Sequence, residues 1–92
     1  MDDMDALIAA PPSWHDQLSD YEARRVREVM DTLDRHSAWL ELSRFGNGFV
    51  RQAAVRGLAA QPSAEALAAL LERLNDWVPQ VRQEAAAAVE AY

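Results

Sequence analysis

Cysteine and lysine are both absent from this sequence, and basic charge of any kind is scarce. Without cysteine, the chain forms no disulfide and offers no thiolate ligand to a metal. The two histidines, His15 and His36, lack the short spacing of paired metal ligands, so we expect no metal site. Nine arginines against 15 acidic residues give a formal net charge of −6. This balance argues against general electrostatic attraction to nucleic acid or to anionic membranes.

Long hydrophobic runs are also missing. No stretch approaches the roughly 20 apolar residues that a transmembrane helix requires. Residues 1–5 carry three aspartates, whereas the start of a secretory signal peptide is basic. The short apolar run over residues 6–10 ends at two prolines. From these absences we predict a soluble, cytoplasmic protein without membrane contact.

Helical periodicity is present from Ser19 onward. This serine and the glutamate three residues later have the spacing of a capping box, and apolar residues then recur at intervals of three and four. The pattern predicts a helix over about residues 20–35, after a partly irregular extension over residues 1–18. A break near Ser37, a candidate cap, starts the next helix, and a single bent helix over residues 20–44 is the alternative.

Turn residues divide the rest of the sequence into further helices. The Gly-Asn-Gly run ending at Gly48 is the strongest turn signal. Gly57 lies inside a predicted helix, where glycine costs about 1 kcal/mol relative to alanine, so we expect tight contact with a neighbouring helix there. No strand alternation occurs, so the predicted fold class is all-α. The predicted helices cover about residues 38–44, 49–60, 64–74 and 79–91.

Two segments of the chain are nearly the same. Val-Arg-Gln at residues 50–52 recurs at residues 81–83, at an offset of 31 positions, and each copy opens a run of small residues. A repeat of this length is typical of stacked helical hairpins. At an offset of 32, Trp39 and Leu42 correspond to Leu71 and Leu74.

The two units, residues 37–60 and 63–92, resemble HEAT repeats, in particular the short bacterial kind. Such a unit is a helix, a loop, and a second helix that opens with Val-Arg. The resemblance implies a short α-solenoid, and we take the helix over residues 20–35 as its N-terminal cap. In the second unit the residues that carry the resemblance are Leu70, Leu71, Leu74, Asp76, Pro79, Val81, Arg82, Ala85 and Val89.

The resemblance also implies a ladder between units, made by a loop aspartate and the arginine of the second helix. Asp76 and Arg82 take those places in the second unit, and we expect Arg82 to be largely buried and bonded to Asp76 or to nearby loop carbonyls. The first unit has Phe45 where the acid would be. We therefore expect Arg51 to bond loop carbonyls or Asp76 of the next unit.

No residue set has the pattern of a catalytic site. Ser-Trp-His-Asp at residues 13–16 contains the residue types of a hydrolase triad, but neighbouring residues rarely converge as a triad requires. The Gly-Asn-Gly turn lacks the strand and the lysine of a phosphate-binding loop. The arginines Arg24, Arg25 and Arg27 alternate with acids and predict a solvated surface. We predict no catalytic, cofactor-binding or metal-binding residue, and no enzyme activity.

The predicted function is protein binding, by an interaction or scaffold module that presents a concave helical surface. The second helix of each unit turns one side away from the first, and its outward side chains form the candidate surface. Aromatic residues beside the loops are candidate anchors, because aromatics dominate interface hot spots. The candidate partner-binding residues are Gln52, Val55, Arg56, Gln83 and Glu90, with Phe49 and Trp77 as the aromatic anchors.

Other functions are compatible with the resemblance. HEAT-like families include alkylpurine DNA glycosylases and proteins related to phycobilin lyases, which would make this chain an enzyme or a ligand binder. The acidic balance counts against the first, and the absence of cysteine counts against the second. Residues 84–89 are small or apolar on more than one side of their helix, whereas terminal solenoid units need a polar outer face. We therefore expect further repeats in a longer protein, or self-association through the last hairpin.

Overall fold

The computed structural model describes residues 18–92, which form five α-helices and no strand. The all-α prediction is confirmed for this part of the chain, whereas the predicted extension over residues 1–18 lies outside it except for Leu18. None of the described helices is both long and apolar enough to cross a membrane. The helices are α1 (Asp20–Thr32), α2 (Arg35–Leu42), α3 (Gly48–Ala60), α4 (Ala64–Arg73) and α5 (Pro79–Glu90).

The capping box predicted for the first helix is formed. Ser19 Oγ accepts a hydrogen bond from the Glu22 backbone N–H at 3.1 Å, and Glu22 Oε1 accepts one from the Ser19 N–H at 3.0 Å. These bonds satisfy two backbone donors that a helix start leaves without an internal partner. Val26 and Val29 are the buried residues of α1. The sequence pattern thus defines both the start of this helix and its inward side.

A sharp break separates α1 from α2. The chain leaves the helical conformation at Leu33, with φ −106° and ψ 155°. The Asp34 carboxylate then accepts hydrogen bonds from the Ser37 N–H at 2.9 Å and from Ser37 Oγ at 3.0 Å. Asp34 is therefore the N-cap, because its side chain reaches the first turn. The predicted cap at Ser37 and the alternative of one bent helix over residues 20–44 are wrong.

The last four helices pack as two hairpins, α2 with α3 and α4 with α5. The hairpins lie side by side, and the contact of α3 with α5 is the most extensive between them. A smaller contact joins α2 to α4, and α1 packs on α2. Each hairpin therefore covers part of the other's apolar surface, and α1 covers part of the first hairpin.

Trp39 of α2 lies directly against Gly57 of α3 inside the core. A Cβ atom on Gly57 would overlap the indole ring of Trp39, which is 2% exposed. The glycine therefore allows α2 and α3 to approach closely, as expected from its position inside a helix. The other large side chains that are fully buried are Leu42, Val50, Val55, Leu58, Leu70 and Val81.

Candidate functional site

In each hairpin, a side chain of the loop accepts a hydrogen bond from the backbone just before or at the start of the second helix. Asn47 Oδ1 accepts the Phe49 N–H at 2.8 Å, at the start of α3. The residue before α5, Val78, has no polar side chain for this role. Asp76 Oδ1 instead accepts the Val78 N–H at 2.9 Å. These bonds hold the backbone at Phe49 and around Trp77, the two aromatic residues predicted as anchors.

A buried ion pair joins the two hairpins at these loops. Arg51 Nε donates to Asp76 Oδ2 at 2.7 Å, and Arg51 Nη2 donates to Asp76 Oδ1 at 3.0 Å. Arg51 Nη1 also donates to the carbonyls of Phe45 and Gly46, both at 2.9 Å. The two charged side chains are only 4% and 1% exposed. The structure thus brings Arg51 to both partners that the sequence offered as alternatives, the loop carbonyls and Asp76.

Asp76 is surrounded by donors. Besides Arg51 and the Val78 N–H, Arg73 Nη1 lies 3.3 Å from Asp76 Oδ2. Burial by itself would raise the pKa of the Asp76 carboxyl, but the hydrogen bonds from Arg51 and Val78 and the charges of Arg51 and Arg73 outweigh it and hold this pKa below its ordinary value. The carboxylate therefore stays ionised at neutral pH and compensates the buried guanidinium of Arg51.

Arg82 does not occupy the buried position predicted for it. Its side chain is exposed, and Arg82 Nη1 donates to the Asp76 backbone carbonyl at 2.9 Å. The bond to a loop carbonyl is therefore present, but the prediction of burial is wrong. The reason is that Arg51, Arg73 and the Val78 N–H already bind the carboxylate oxygens of Asp76.

Three of the predicted partner-binding residues, Phe49, Gln52 and Trp77, come together in one groove with a volume of about 430 Å³. Trp77 is 77% exposed and Phe49 is 47% exposed. The Arg51 guanidinium carbon lies 5.7 Å from the centroid of the Trp77 ring, within the range of a cation–π contact. We call this the aromatic groove. It is lined by Glu22, Gly46, Asn47, Gly48, Phe49, Gln52, Trp77, Val78 and Gln80.

The other predicted partner-binding residues lie elsewhere. Gln83 and Glu90 are exposed on α5 and do not line the groove. Arg56 is exposed but forms an ion pair with Glu84 of α5, with Nη2 2.6 Å from Oε1. The structure thus leaves these side chains outside the groove, and Arg56 links the two second helices.

Val55 was wrongly predicted to face a partner, since it is 1% exposed. It follows Arg51 by one helical turn, so both residues lie on the same side of α3. Arg51 reaches Asp76 of the second hairpin. That hairpin therefore covers the side of α3 on which Val55 lies.

Six of the nine residues that line the groove were not predicted as site residues, and three of these six, Gly46, Asn47 and Gly48, were interpreted only as a turn. Glu22 was read only as the capping residue of α1, and no sequence signal places that helix start beside the loops of the hairpins. Val78 follows Trp77 directly. Gln80 occupies the repeat position of Phe49, at the same offset of 31 residues. The repeat alone could therefore have identified Gln80.

The remaining chemical candidates do not form a site in the described residues. His36 is half-buried, and its Nε2 lies 3.1 Å from Ser63 Oγ, the cap of α4. Within residues 18–92, no group of three or more histidine, cysteine, aspartate or glutamate side chains could hold a metal ion. The Ser-Trp-His-Asp run at residues 13–16 lies outside the described part of the chain. Comparisons with family models, curated proteins and solved structures found no match to this chain.

Proposed function

We propose that this chain is a protein-binding module, and that its hairpins form a short HEAT-like α-solenoid with α1 as the cap of the first unit. Its partner is a protein, and the module acts by presenting a surface rather than by catalysis. A cytoplasmic location belongs to the same proposal. The observation that carries it is the aromatic groove, which places two exposed aromatic side chains on a loop region held by buried bonds.

The contacts between the hairpins support the solenoid arrangement. The two repeat units form successive hairpins, and their second helices, α3 and α5, pack against each other. The Arg51–Asp76 pair connects the second helix of one unit to the loop of the next. In repeat proteins, each unit contacts its neighbour and hides an apolar face that it cannot cover alone. These contacts follow that rule.

Exposed aromatic side chains support protein binding at the groove. Most large apolar side chains of a small domain are buried, and aromatic residues are enriched among the residues that dominate interface energies. Phe49 and Trp77 both remain accessible, and Gln52 and Gln80 line the same groove with amides that can donate and accept hydrogen bonds. A groove with this mixture of apolar and polar groups suits a protein ligand.

The exposed side of α5, on which Arg82 and Ala86 lie, supports a second element of the proposal. This element is a further helical hairpin that packs on that side. Arg51 and Val55 of α3 are buried by the second hairpin, whereas their repeat counterparts on α5, Arg82 and Ala86, are exposed. We propose that a further unit covers this side of α5 as the second hairpin covers α3. Hydrogen exchange of α5 in this chain, with and without an added helical hairpin after α5, tests this element, since a hairpin packed there must protect α5 from exchange.

The groove is tested by affinity capture with matched variants. Wild-type chain, Trp77→Ala and Tyr21→Ala are used as bait, since Tyr21 is another exposed aromatic, 69% exposed, that does not line the groove. We expect one defined protein with wild type and Tyr21→Ala, and its loss with Trp77→Ala. The purified partner is then titrated by calorimetry, where Trp77→Ala is expected to weaken binding by about 2 kcal/mol or more.

Other outcomes would contradict the proposal. A partner held equally by all three baits would remove the groove from the binding surface. Binding to DNA with a steep dependence on salt concentration would instead favour the glycosylase-like alternative, because phosphate contacts release counterions.

A further inference from the structure

We infer that the aromatic groove recognises a cationic segment, an extended peptide that inserts an arginine or lysine side chain between Trp77 and Glu22. This inference rests on the proposed protein-binding function and specifies the chemistry of the partner. Three features of the groove carry it: the carboxylate of Glu22, the exposed ring of Trp77, and the amides of Gln52 and Gln80.

The charge of the groove is negative. Among residues 18–92, Glu22 is the only charged residue that lines it. Its Oε1 is held by the Ser19 N–H at 3.0 Å, which fixes the position of the carboxylate while leaving its charge in place. Arg51, which lies against the Trp77 ring, is almost fully buried and compensated by Asp76. The chain as a whole carries a formal net charge of −6. A cationic ligand is therefore attracted and an anionic one is repelled.

The aromatic rings offer a second attraction for a cation. A guanidinium or ammonium group within about 6 Å of a ring centroid is drawn to the negative face of the ring. Arg51 already takes such a position near Trp77, at 5.7 Å. Because Trp77 is 77% exposed, ring surface remains accessible to a ligand. Phe49 lines the same groove and adds apolar contact for the aliphatic part of an arginine or lysine side chain.

The two amides favour an extended ligand. Gln52 on α3 and Gln80 on α5 line the groove from the two second helices. Each amide carries a carbonyl acceptor and two N–H donors. An extended peptide leaves its backbone groups unpaired, so it can bond both amides, whereas a helical ligand has used these groups internally. The groove therefore fits a linear segment better than a packed helix.

The test is a titration of the full chain, followed by NMR, with two capped hexapeptides. One alternates proline and arginine, the other alternates proline and glutamate, and proline keeps both extended. With the arginine peptide, we expect shifts concentrated at the Trp77 indole N–H and at the side-chain amides of Gln52 and Gln80. With the glutamate peptide, we expect no shifts at these groups.

Two variants of equal charge separate a local contact from a general one. Glu22→Gln keeps a residue that can complete the capping box, so the helix start is preserved. Glu28→Gln removes one negative charge from α1 outside the groove. We expect Glu22→Gln and Trp77→Ala each to raise the Kd for the arginine peptide by about 3- to 30-fold, the range of one cation–π contact or charge pair. We expect Glu28→Gln to leave the Kd for the arginine peptide within about twofold of the wild-type value, because salt screens distant charges.

The inference is overturned if both peptides bind alike, or if Glu28→Gln weakens binding as much as Glu22→Gln. Shifts of the Trp77 indole on dilution of the peptide-free protein would assign the groove to a second copy of this chain and would also overturn it. Failure of the inference is distinguishable from failure of the proposed function. A captured protein whose binding depends on Trp77 but not on Glu22 would retain protein binding and exclude the cationic segment.

Discussion

Arg51 of the first hairpin and Asp76 of the second form a two-point ion pair, with N–O distances of 2.7 and 3.0 Å between side chains that are almost fully buried. Buried pairs of this kind add little net stability compared with apolar residues, because both charges lose their hydration. Removal of one partner is different, since it leaves the other charge buried without compensation. The pair therefore determines how the hairpins are joined more than how stable each is.

Arg51→Ala is predicted to lower the free energy of unfolding by about 3–5 kcal/mol, because the Asp76 carboxylate and two loop carbonyls lose their donors. Arg82→Ala is the matched control, since Arg82 has the same repeat position but is exposed and makes one bond to a carbonyl. Its expected cost is about 0.5–1.5 kcal/mol. Urea unfolding followed by circular dichroism measures both values. Equal losses would show that the burial of Arg51 has no energetic consequence.

Gly57→Ala is predicted to destabilise the protein by about 1–3 kcal/mol, because the added methyl group overlaps the Trp39 indole inside the core. The control is Gly46→Ala, where no atom lies within 4 Å of the added Cβ atom and the backbone angle φ is not positive. That change should be neutral or stabilise by up to about 1 kcal/mol. Thermal unfolding of both variants checks the prediction, and a neutral Gly57→Ala would contradict the close contact of α2 and α3.

Stability is predicted to fall in acid because of Asp76. The pKa of its carboxyl is lower in the folded state than the unfolded value of about 3.9. The resulting stabilisation is complete above the unfolded pKa and is lost as the pH falls through the folded one. Asp34 also has a lowered pKa, through its hydrogen bonds from Ser37.

Urea unfolding between pH 2 and pH 6 in an Asp34→Asn background therefore isolates the contribution of Asp76. We expect the free energy of unfolding to decline below about pH 4. In a variant with both aspartates changed to asparagine, the decline should be shallower. An identical pH dependence in the two backgrounds would show that Asp76 is not held ionised by its neighbours.

The Arg56–Glu84 pair is predicted to contribute little. Its side chains are 58% and 30% exposed, although Nη2 and Oε1 are only 2.6 Å apart. Exposed pairs typically couple by about 0.2–1 kcal/mol and are screened by salt. A double-mutant cycle of Arg56→Ala and Glu84→Ala, at low and at high salt, measures the coupling. A value above about 2 kcal/mol that resists salt would assign this pair a role like that of Arg51 and Asp76.

Local signals in the sequence predicted the helices well. The capping box at Ser19, the turn before Gly48 and the glycine inside α3 each act within a few residues, so their outcome depends little on the rest of the fold. The two partners of Arg51 were also predictable, because the repeat places Phe45 where an acid would be and leaves the loop aspartate of the next unit, Asp76, as the alternative to the loop carbonyls. Ser37 was wrongly predicted as the cap of α2, because Asp34 and Ser37 are both common capping residues. The hydrogen bonds between them show that Asp34 is the cap.

Relations between distant residues were not predictable. Nothing in the sequence relates Glu22 to Trp77, because α1 lies outside the repeat and its position against the hairpins depends on tertiary packing. The prediction that Val55 faces a partner was wrong for a similar reason. The repeat identified which side of α3 it occupies, but not that the second hairpin covers that side. Arg82 lies in the same Val-Arg-Gln motif as Arg51 and yet is exposed, so burial depends on a neighbouring hairpin and not on the motif.

Trp77 follows Asp76 in the chain, and the Asp76 carboxylate accepts hydrogen bonds from Arg51, Arg73 and the Val78 N–H. The backbone at Trp77 is therefore held in position once the protein has folded. A flexible binding loop loses conformational entropy when a partner orders it, and this loss weakens the complex. Here that loss occurs during folding and is offset by the packing of the hairpins. For the ligand proposed at the aromatic groove, Arg51 would raise the affinity without contacting that ligand, because it holds the loop in one conformation before binding.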